Sequence, residues 1–269
     1  MTAPDILLRE EIGAVTRLTL NRPERMNALS GQLARALELA LADCLAPGSP
    51  TRALLITGAG RGFCAGADLT ERLEVPEGGT VLETWYHPMI RRLRTCPLPV
   101  VVAVNGIAAG AGMSLALLGD IVTCAESASF LQAFVKAGLV PDCGASWLLP
   151  RRIGEARARE MALLAERLPA AQALDWGLVN RVFPDESLQS ESLALATRLA
   201  EGPVNALSRT RGLFEASPCN DFEAQIAFEA KMQSQCSGAP ESREGRAAFA
   251  EKRTPDFINI PLASREHTT

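Results

Sequence analysis

The 269-residue chain carries 27 lysines and arginines against 31 aspartates and glutamates, a formal net charge of −4, with 47% apolar, 22% charged and 5% aromatic residues. That balance excludes extended disorder and predicts a core of aliphatic side chains and alanine rather than rings. With no basic excess, the phosphate term that dominates nucleic-acid affinity has no source, so nucleic acid is excluded as the main partner.

In chain order, Ile6–Glu10 and Ala14–Leu20 read as strands, the second ending in the turn-forming Asn21-Arg22-Pro23. Ser30 offers an N-cap, and Leu33, Leu37, Leu41 and Leu45 recur at helical spacing until Pro47-Gly48. Arg52–Thr57 is a short apolar strand running into a glycine-rich turn, Gly58 to Gly62. Leu69–Glu77 reads as a mobile insert, and Glu83–Arg94 as an amphipathic helix whose His87 is an ordinary surface or boundary histidine. Thr95–Gly119 is 25 residues without a charge, long enough to span a bilayer. Its prolines, its β-branched run Val100–Val102 and its Asn105-Gly106 turn predict a buried strand, turn and helix instead, so no membrane partner is expected. Ile121–Cys124 is another strand. Helices follow at Glu155–Glu166, Ala170–Trp176 and Glu186–Glu201, with a strand-like Leu178–Phe183 among them. Val204–Phe214, Phe222–Gln235 and Glu241–Glu251 complete a helical tail. Strand–helix alternation followed by helices predicts an α/β fold, with a C-terminal helical segment that packs on the main body or on a neighbouring subunit.

Seven cysteines, Cys44, Cys64, Cys96, Cys124, Cys143, Cys219 and Cys236, form no CxxC pair, and only His87 and His267 accompany them. Neither a disulfide framework nor a metal site is expected. The N-terminal segment has no basic stretch leading into an apolar one, so no signal peptide is read and the cytoplasm is the expected compartment.

Three motifs bear on chemistry. Gly58, Gly60 and Gly62 follow a strand, but Phe63 stands where a dinucleotide fingerprint needs its third glycine, and no G-x-x-x-x-G-K occurs. Gly112-Met113-Ser114-Leu115-Ala116 approaches a nucleophile elbow, so a serine hydrolase at Ser114 is a rival reading, opposed by the scarcity of histidine. The third is a pair of loops, Gly62 to Leu69 and Asn105 to Gly112, each following an apolar strand and leading towards a helix. Backbone N–H groups of two such turns can face one pocket and make an oxyanion hole. Two unrelated tight turns explain the residues equally well.

The segments Asn21-Arg22-Pro23-Glu24-Arg25-Met26-Asn27-Ala28-Leu29, Gly62-Phe63-Cys64-Ala65-Gly66-Ala67-Asp68-Leu69 and Ala103-Val104-Asn105-Gly106 through Asp120, in this order, resemble the signatures of the enoyl-CoA hydratase/isomerase (crotonase) superfamily. The likeness continues through Gly138–Asp142, Ala170–Asn180 and Ala248–Arg253. It implies a spiral of ββα units over residues 1–200 and a C-terminal helical trimerisation region over 201–269, in a homotrimer or dimer of trimers. It implies an acyl-CoA substrate, with coenzyme A arriving as part of the thioester and no permanently bound cofactor. The hole donors would be the N–H groups of Ala67 and Ala111, the latter at a helix N-terminus whose dipole would assist. Arg25, Met26, Ala28, Ala65, Gly66, Asp68 and Leu69 would line the coenzyme cleft, with Phe249 and Lys252 reaching it from a neighbouring subunit. Gly110, Ser114 and Phe134 would border the substrate.

The departures point to a particular chemistry. Where hydratases of the family carry two water-orienting glutamates, this sequence has Ser114 and Phe134. Asp142 stands where isomerase members carry a single catalytic acid, resembling 1,2-epoxyphenylacetyl-CoA isomerases and Δ3,Δ2-enoyl-CoA isomerases. The resemblance therefore implies an isomerase, with a hydratase, a silent acyl-CoA binder and the Ser114 hydrolase as alternatives. The structural alternative for Asp142 is an N-cap of the helix near Gly144.

Overall fold

The computed structural model describes residues 5–262. Strands β1 (Leu7–Ile12) and β2 (Val15–Leu20) form an antiparallel hairpin. Helix α1 (Gly31–Leu45) begins at Ser30, whose Oγ accepts the Leu33 N–H at 3.1 Å, and buries Leu33, Leu37 and Leu41. Strand β3 (Ala53–Gly58), fully buried, leads to the short β4 (Gly62–Cys64). After the insert, a π-helical turn at Leu82–Tyr86 runs into α2 (His87–Arg94).

The uncharged stretch holds no membrane helix. It folds as β5 (Val100–Val104), β6 (Ile107–Ala109) and α3 (Ala111–Ala116), and no helix among the described residues is long and apolar enough to cross a membrane. Then come β7 (Ile121–Ala125), β8 (Ser129–Leu131), α4 (Ala145–Ile153), α5 (Glu155–Leu164), β9 (Leu168–Pro169), α6 (Ala170–Asp175) and β10 (Arg181–Phe183). Helix α7 (Leu188–Ala200) packs on β3 and β5, and α8 (Val204–Ala216), α9 (Phe222–Ser237) and α10 (Pro240–Glu251) follow.

The large sheet has the order β1-β2-β3-β5-β7-β10, parallel beyond the first hairpin, and a second sheet has the order β4-β6-β8-β9. The pairs β3–β4, β5–β6 and β7–β8 each give one strand to either sheet, so the chain winds as a spiral. This mixed α/β architecture agrees with the expected fold class. The two glycine-rich loops singled out by the sequence run through β4 and β6 and on past their ends.

The structure corrects the sequence reading in detail. The strand-like Leu178–Phe183 is strand only from Arg181, the helix at Glu83 starts as a π turn, the helix expected near Gly144 is α4, and the strands of the second sheet have no counterpart in the sequence reading.

Helices α8 to α10 form an arm rather than a second core. Helix α9 buries none of its residues, and Phe214, Phe222 and Phe249 are 75%, 75% and 88% exposed. Two buried charges fix its base. The Glu241 carboxylate caps α8 by accepting from Asn205 N and Ala206 N at 3.0 and 3.1 Å. The Arg52 guanidinium donates to the carbonyls of Ala200, Gly202, Phe257 and Ile260 at 2.7–3.2 Å.

Candidate active site

Two asparagines hold the turn after β3. Asn105 Nδ2 donates to Gly60 O at 2.9 Å while its Oδ1 accepts from Gly58 N at 3.1 Å. Asn27, buried and with φ +55, donates through Nδ2 to Ala59 O and Gly62 O at 2.9 and 2.7 Å, and its Oδ1 accepts the Arg22 N–H. Ala65 N donates to Met26 O at 3.0 Å, which lays Met26 to Ala28 along the Gly62–Asp68 loop.

The next residues form a single parallel bridge, Leu29 with Ala67. Leu29 N donates to Gly66 O at 2.7 Å and Asp68 N donates to Leu29 O at 3.0 Å. In extended backbone successive N–H groups face opposite edges, so this pairing leaves the Ala67 N–H on the far side. That side faces the second loop. A Cβ on Gly66 (φ +100) would sit 3.0 Å from Ala109 O and 3.8 Å from Ala111 N, and one on Gly110 (φ +49) would lie 3.9 Å from Gly66 Cα and 3.7 Å from the Phe134 ring. Both positions need a backbone that only glycine adopts freely, and Gly66 also needs the space. No hydrogen bond among the described residues uses the N–H of Ala67 or of Ala111. Helix α3 spans only six residues, so the donors themselves matter here more than a macrodipole. Two preorganised backbone donors on adjoining loops can stabilise an oxygen that gains negative charge.

Asp142 is placed by a different device. Cys143 (φ +51) and Gly144 (φ +86) both lie in the left-handed region, turning the chain sharply before α4. The Asp142 side chain does not cap that helix; only its carbonyl does, accepting from Ala145 N at 2.9 Å. Its Oδ1 is buried without a hydrogen-bond partner. Burial raises the carboxyl above the usual aspartate range, against smaller opposing pulls from a hydrogen bond to the Cys143 thiol and from the charge of His87. Cys143 itself is pushed up, first by burial and then by Asp142, so it stays a thiol. Burial likewise pushes Cys64, beneath the first loop, up to about 11.

Ser114 is fully buried, and its hydroxyl donates to the main-chain carbonyls of Asp142 and Gly110, at 3.1 and 3.3 Å. Neither partner is a base, so the elbow reading fails. His267 lies outside the described residues, and among the described residues no hydrogen bond joins His87 to Ser114, whose partners are main-chain carbonyls. No cluster of three or more potential metal ligands occurs among the described residues.

The structure thus gathers Met26, Ala28, Ala65, Gly66, Ala67, Gly110, Ala111 and Phe134 around two touching loops, with Ser114 joining them to the Asp142 turn. Arg25 is exposed at the end of a short 3₁₀ turn, and Leu69 is exposed beyond the first loop. The Asp68 side chain is committed to Arg22 at 2.9 Å and to Thr70, which leaves its backbone for any ligand. Phe249 and Lys252 lie at the end of α10, which packs on α9 and not on the loops. Sequence reasoning missed the bracing by Asn27 and Asn105 and the pull of His87 and Cys143 on the Asp142 carboxyl. It also missed Tyr86, whose hydroxyl donates to Leu29 O at 3.0 Å. Only the asparagines left a signal, inside the quoted motifs.

Comparison with known proteins adds the family. The enoyl-CoA hydratase/isomerase family matches residues 10–259. A 1,2-epoxyphenylacetyl-CoA isomerase of Escherichia coli K12 is 45% identical over 94% of this chain and 97% of its own length. A probable enoyl-CoA hydratase of Rhodobacter capsulatus is 44% identical over 89% and 93%. Among solved structures, an enoyl-CoA hydratase from Polaromonas sp. JS666 superposes with a TM-score of 0.86 at 36% identity, over 93% of this chain and 98% of that one. None of these is a serine hydrolase. The chain belongs to the enoyl-CoA hydratase/isomerase family, the crotonase superfamily of enzymes that act on acyl-CoA thioesters.

Proposed function

We propose that the protein isomerises an acyl-CoA thioester by proton transfer, with Asp142 as its acid–base group. One observation carries this reading: the buried Asp142 carboxylate has an Oδ1 bonded to nothing in the protein, while the positions of the hydratase glutamates hold a buried serine and a phenylalanine. Other nearby carboxylates are occupied, Asp68 by Arg22 and Glu71 by the Gly31 N–H at 2.9 Å.

In this mechanism the thioester carbonyl oxygen accepts from the Ala67 and Ala111 N–H groups. Asp142 removes a proton from the carbon next to the carbonyl, and the electron pair moves onto that oxygen as an enolate. The same proton then returns from Asp142 to a carbon further along the chain, the double bond shifts, and the carboxylate is regenerated. The raised pKa makes Asp142 a stronger base than a free aspartate and suits it to hold the proton between the two steps. Phe134, against Gly110, keeps water from the enolate. Ser114 fixes the main chain of Asp142.

Coenzyme A enters as part of the substrate, along Arg25, Met26, Ala28, Ala65, Gly66, the Asp68 backbone and Leu69. The exposed phenylalanines of the arm support assembly as a homotrimer or a dimer of trimers, in which Phe249 and Lys252 of one subunit meet the cleft of another. Among the described residues no disulfide joins any of the seven cysteines, which suits the cytoplasm.

The test is incubation of 3-enoyl-CoA and 2-enoyl-CoA with wild type, Asp142→Asn and Ser114→Ala. The expected result is isomerisation by wild type and Ser114→Ala and its loss in Asp142→Asn. Isomerisation that survives in Asp142→Asn overturns the mechanism. Hydration of 2-enoyl-CoA as the faster wild-type reaction makes the enzyme a hydratase.

A further inference from the structure

Tyr86 is the chain's single tyrosine, and it is buried. Pro88 has no N–H to offer the Thr84 carbonyl, and the His87 N–H reaches back five residues to Leu82 O, closing a π turn. A π turn carries one residue more than an α turn, so it shifts the phase of the adjoining helix. Here it turns the tyrosine inward, where the phenol meets Leu29. The Leu29 carbonyl already accepts the Asp68 N–H, so the Tyr86 bond is a second one, not needed to satisfy that oxygen. Phenylalanine would fill the same space with no polar atom to place. The hydroxyl's own contribution is position. Leu29 is the residue on which the Gly66–Asp68 turn is hung, by one bond on either side of Ala67.

We infer that Tyr86 is a positioning residue for the oxyanion hole, holding the Leu29 carbonyl, and through it the Gly66–Asp68 turn, so that the Ala67 N–H is aimed at the thioester oxygen. The inference rests on the isomerase reading of the site. Burial, and after it the charges of Glu71, Asp142 and Asp68, push the phenol up, so it remains a hydrogen-bond donor throughout the working pH range. An N–H displaced by a fraction of an ångström loses most where the oxygen carries most charge, in the transition state, and little in the ground-state complex.

The test compares Tyr86→Phe with wild type. Since the donor is misaimed rather than deleted, kcat should fall about tenfold, short of the 10²–10³ typical of a lost donor, with KM within about twofold of wild type. Isotope-edited infrared spectroscopy of a bound saturated arylacetyl-CoA, which cannot isomerise, reads the hole directly. Its carbonyl stretch should fall on binding to wild type and recover part of the way towards the solution value in Tyr86→Phe. Biosynthetic 3-fluorotyrosine labels this residue alone and leaves the sequence intact, so its fluorine resonance should move when the thioester binds. A variant with wild-type kcat and carbonyl frequency, or a loss of kcat matched by a rise in KM with the frequency unmoved, overturns the inference and leaves the isomerase reading standing. If Tyr86→Phe does not fold, a fluorine resonance indifferent to the thioester overturns it. A wild type that neither isomerises 3-enoyl-CoA nor shifts the carbonyl overturns the isomerase reading itself, and the inference with it.

Discussion

The two loops of the site and the C-terminal arm divide the work of the molecule in opposite ways. In the loops, on the proposed mechanism, the main chain acts, and glycine and alanine stay out of its way. The larger residues nearby, Asn27, Asn105 and Tyr86, brace that main chain. In the arm, side chains are offered outward: α9 buries nothing, and three phenylalanines stand largely in solvent. The hole donors and the acid–base group proposed here all come from one chain, whereas the arm has apolar surface that a second chain would cover. Chemistry and assembly should therefore be separable by mutation.

The largest effect expected is in the first region. Asp142→Asn should lower kcat by about 10²–10⁴, the usual range for general acid–base catalysis, while the mass of the particle in analytical ultracentrifugation stays the same. Next is Ala111→Pro. Proline at the first position of a helix is well tolerated, so it removes the N–H with little disturbance, and stopped-flow isomerisation should slow by about 10²–10³. The arm provides the converse. Replacing Phe249 with serine should weaken subunit association by on the order of 2 kcal/mol, read as a rise in the dissociation constant, with the far-ultraviolet spectrum unchanged. A change in mass from Asp142→Asn, or an unchanged mass in Phe249→Ser, would break the division.

The smallest effect sharpens it. Burial raises the Asp142 pKa in the folded state, so the native protein binds this proton more tightly than the unfolded chain does. Stability from this group is complete at low pH and is lost as pH rises from the ordinary aspartate range through the raised value. At neutral pH the charged carboxylate is a net cost. Asp142→Asn should therefore raise the thermal midpoint at neutral pH, and the gain should fade as pH is lowered. A variant less stable than wild type at neutral pH would show that the carboxylate has a partner in solution.

Much of the fold was readable where a residue pattern outlasts its surroundings. The buried runs of β3 and β5 and the leucine spacing of α1 behave as strands and helix because their own side chains require it. The second sheet has strands of two or three residues, whose pairing depends on neighbours brought by the spiral and not on local alternation. Helix α4 has no side-chain cap and contains Pro150, so the sequence marks its start near Gly144 but not its extent. At the site, the residues alone leave the two loops as a shared pocket or as separate turns, and family likeness chooses the shared pocket, with which the closeness of Gly66 to Ala109 agrees. His87 and Tyr86 stayed hidden because a π turn sets their direction, and helical periodicity assumes that no residue is inserted.

Arg52 gives the arm one more property. Its guanidinium gathers carbonyls from where the arm departs, at Ala200 and Gly202, and from where it returns, at Phe257 and Ile260. The three helices are thus a loop tied at the neck, with both ends fastened at the start of β3, a central strand of the large sheet. Exchange of this segment between subunits would require unthreading both ends from a buried cation that holds four of their carbonyls. Domain swapping through the arm is therefore opposed, and each subunit should enter an assembly with its own helices already in place.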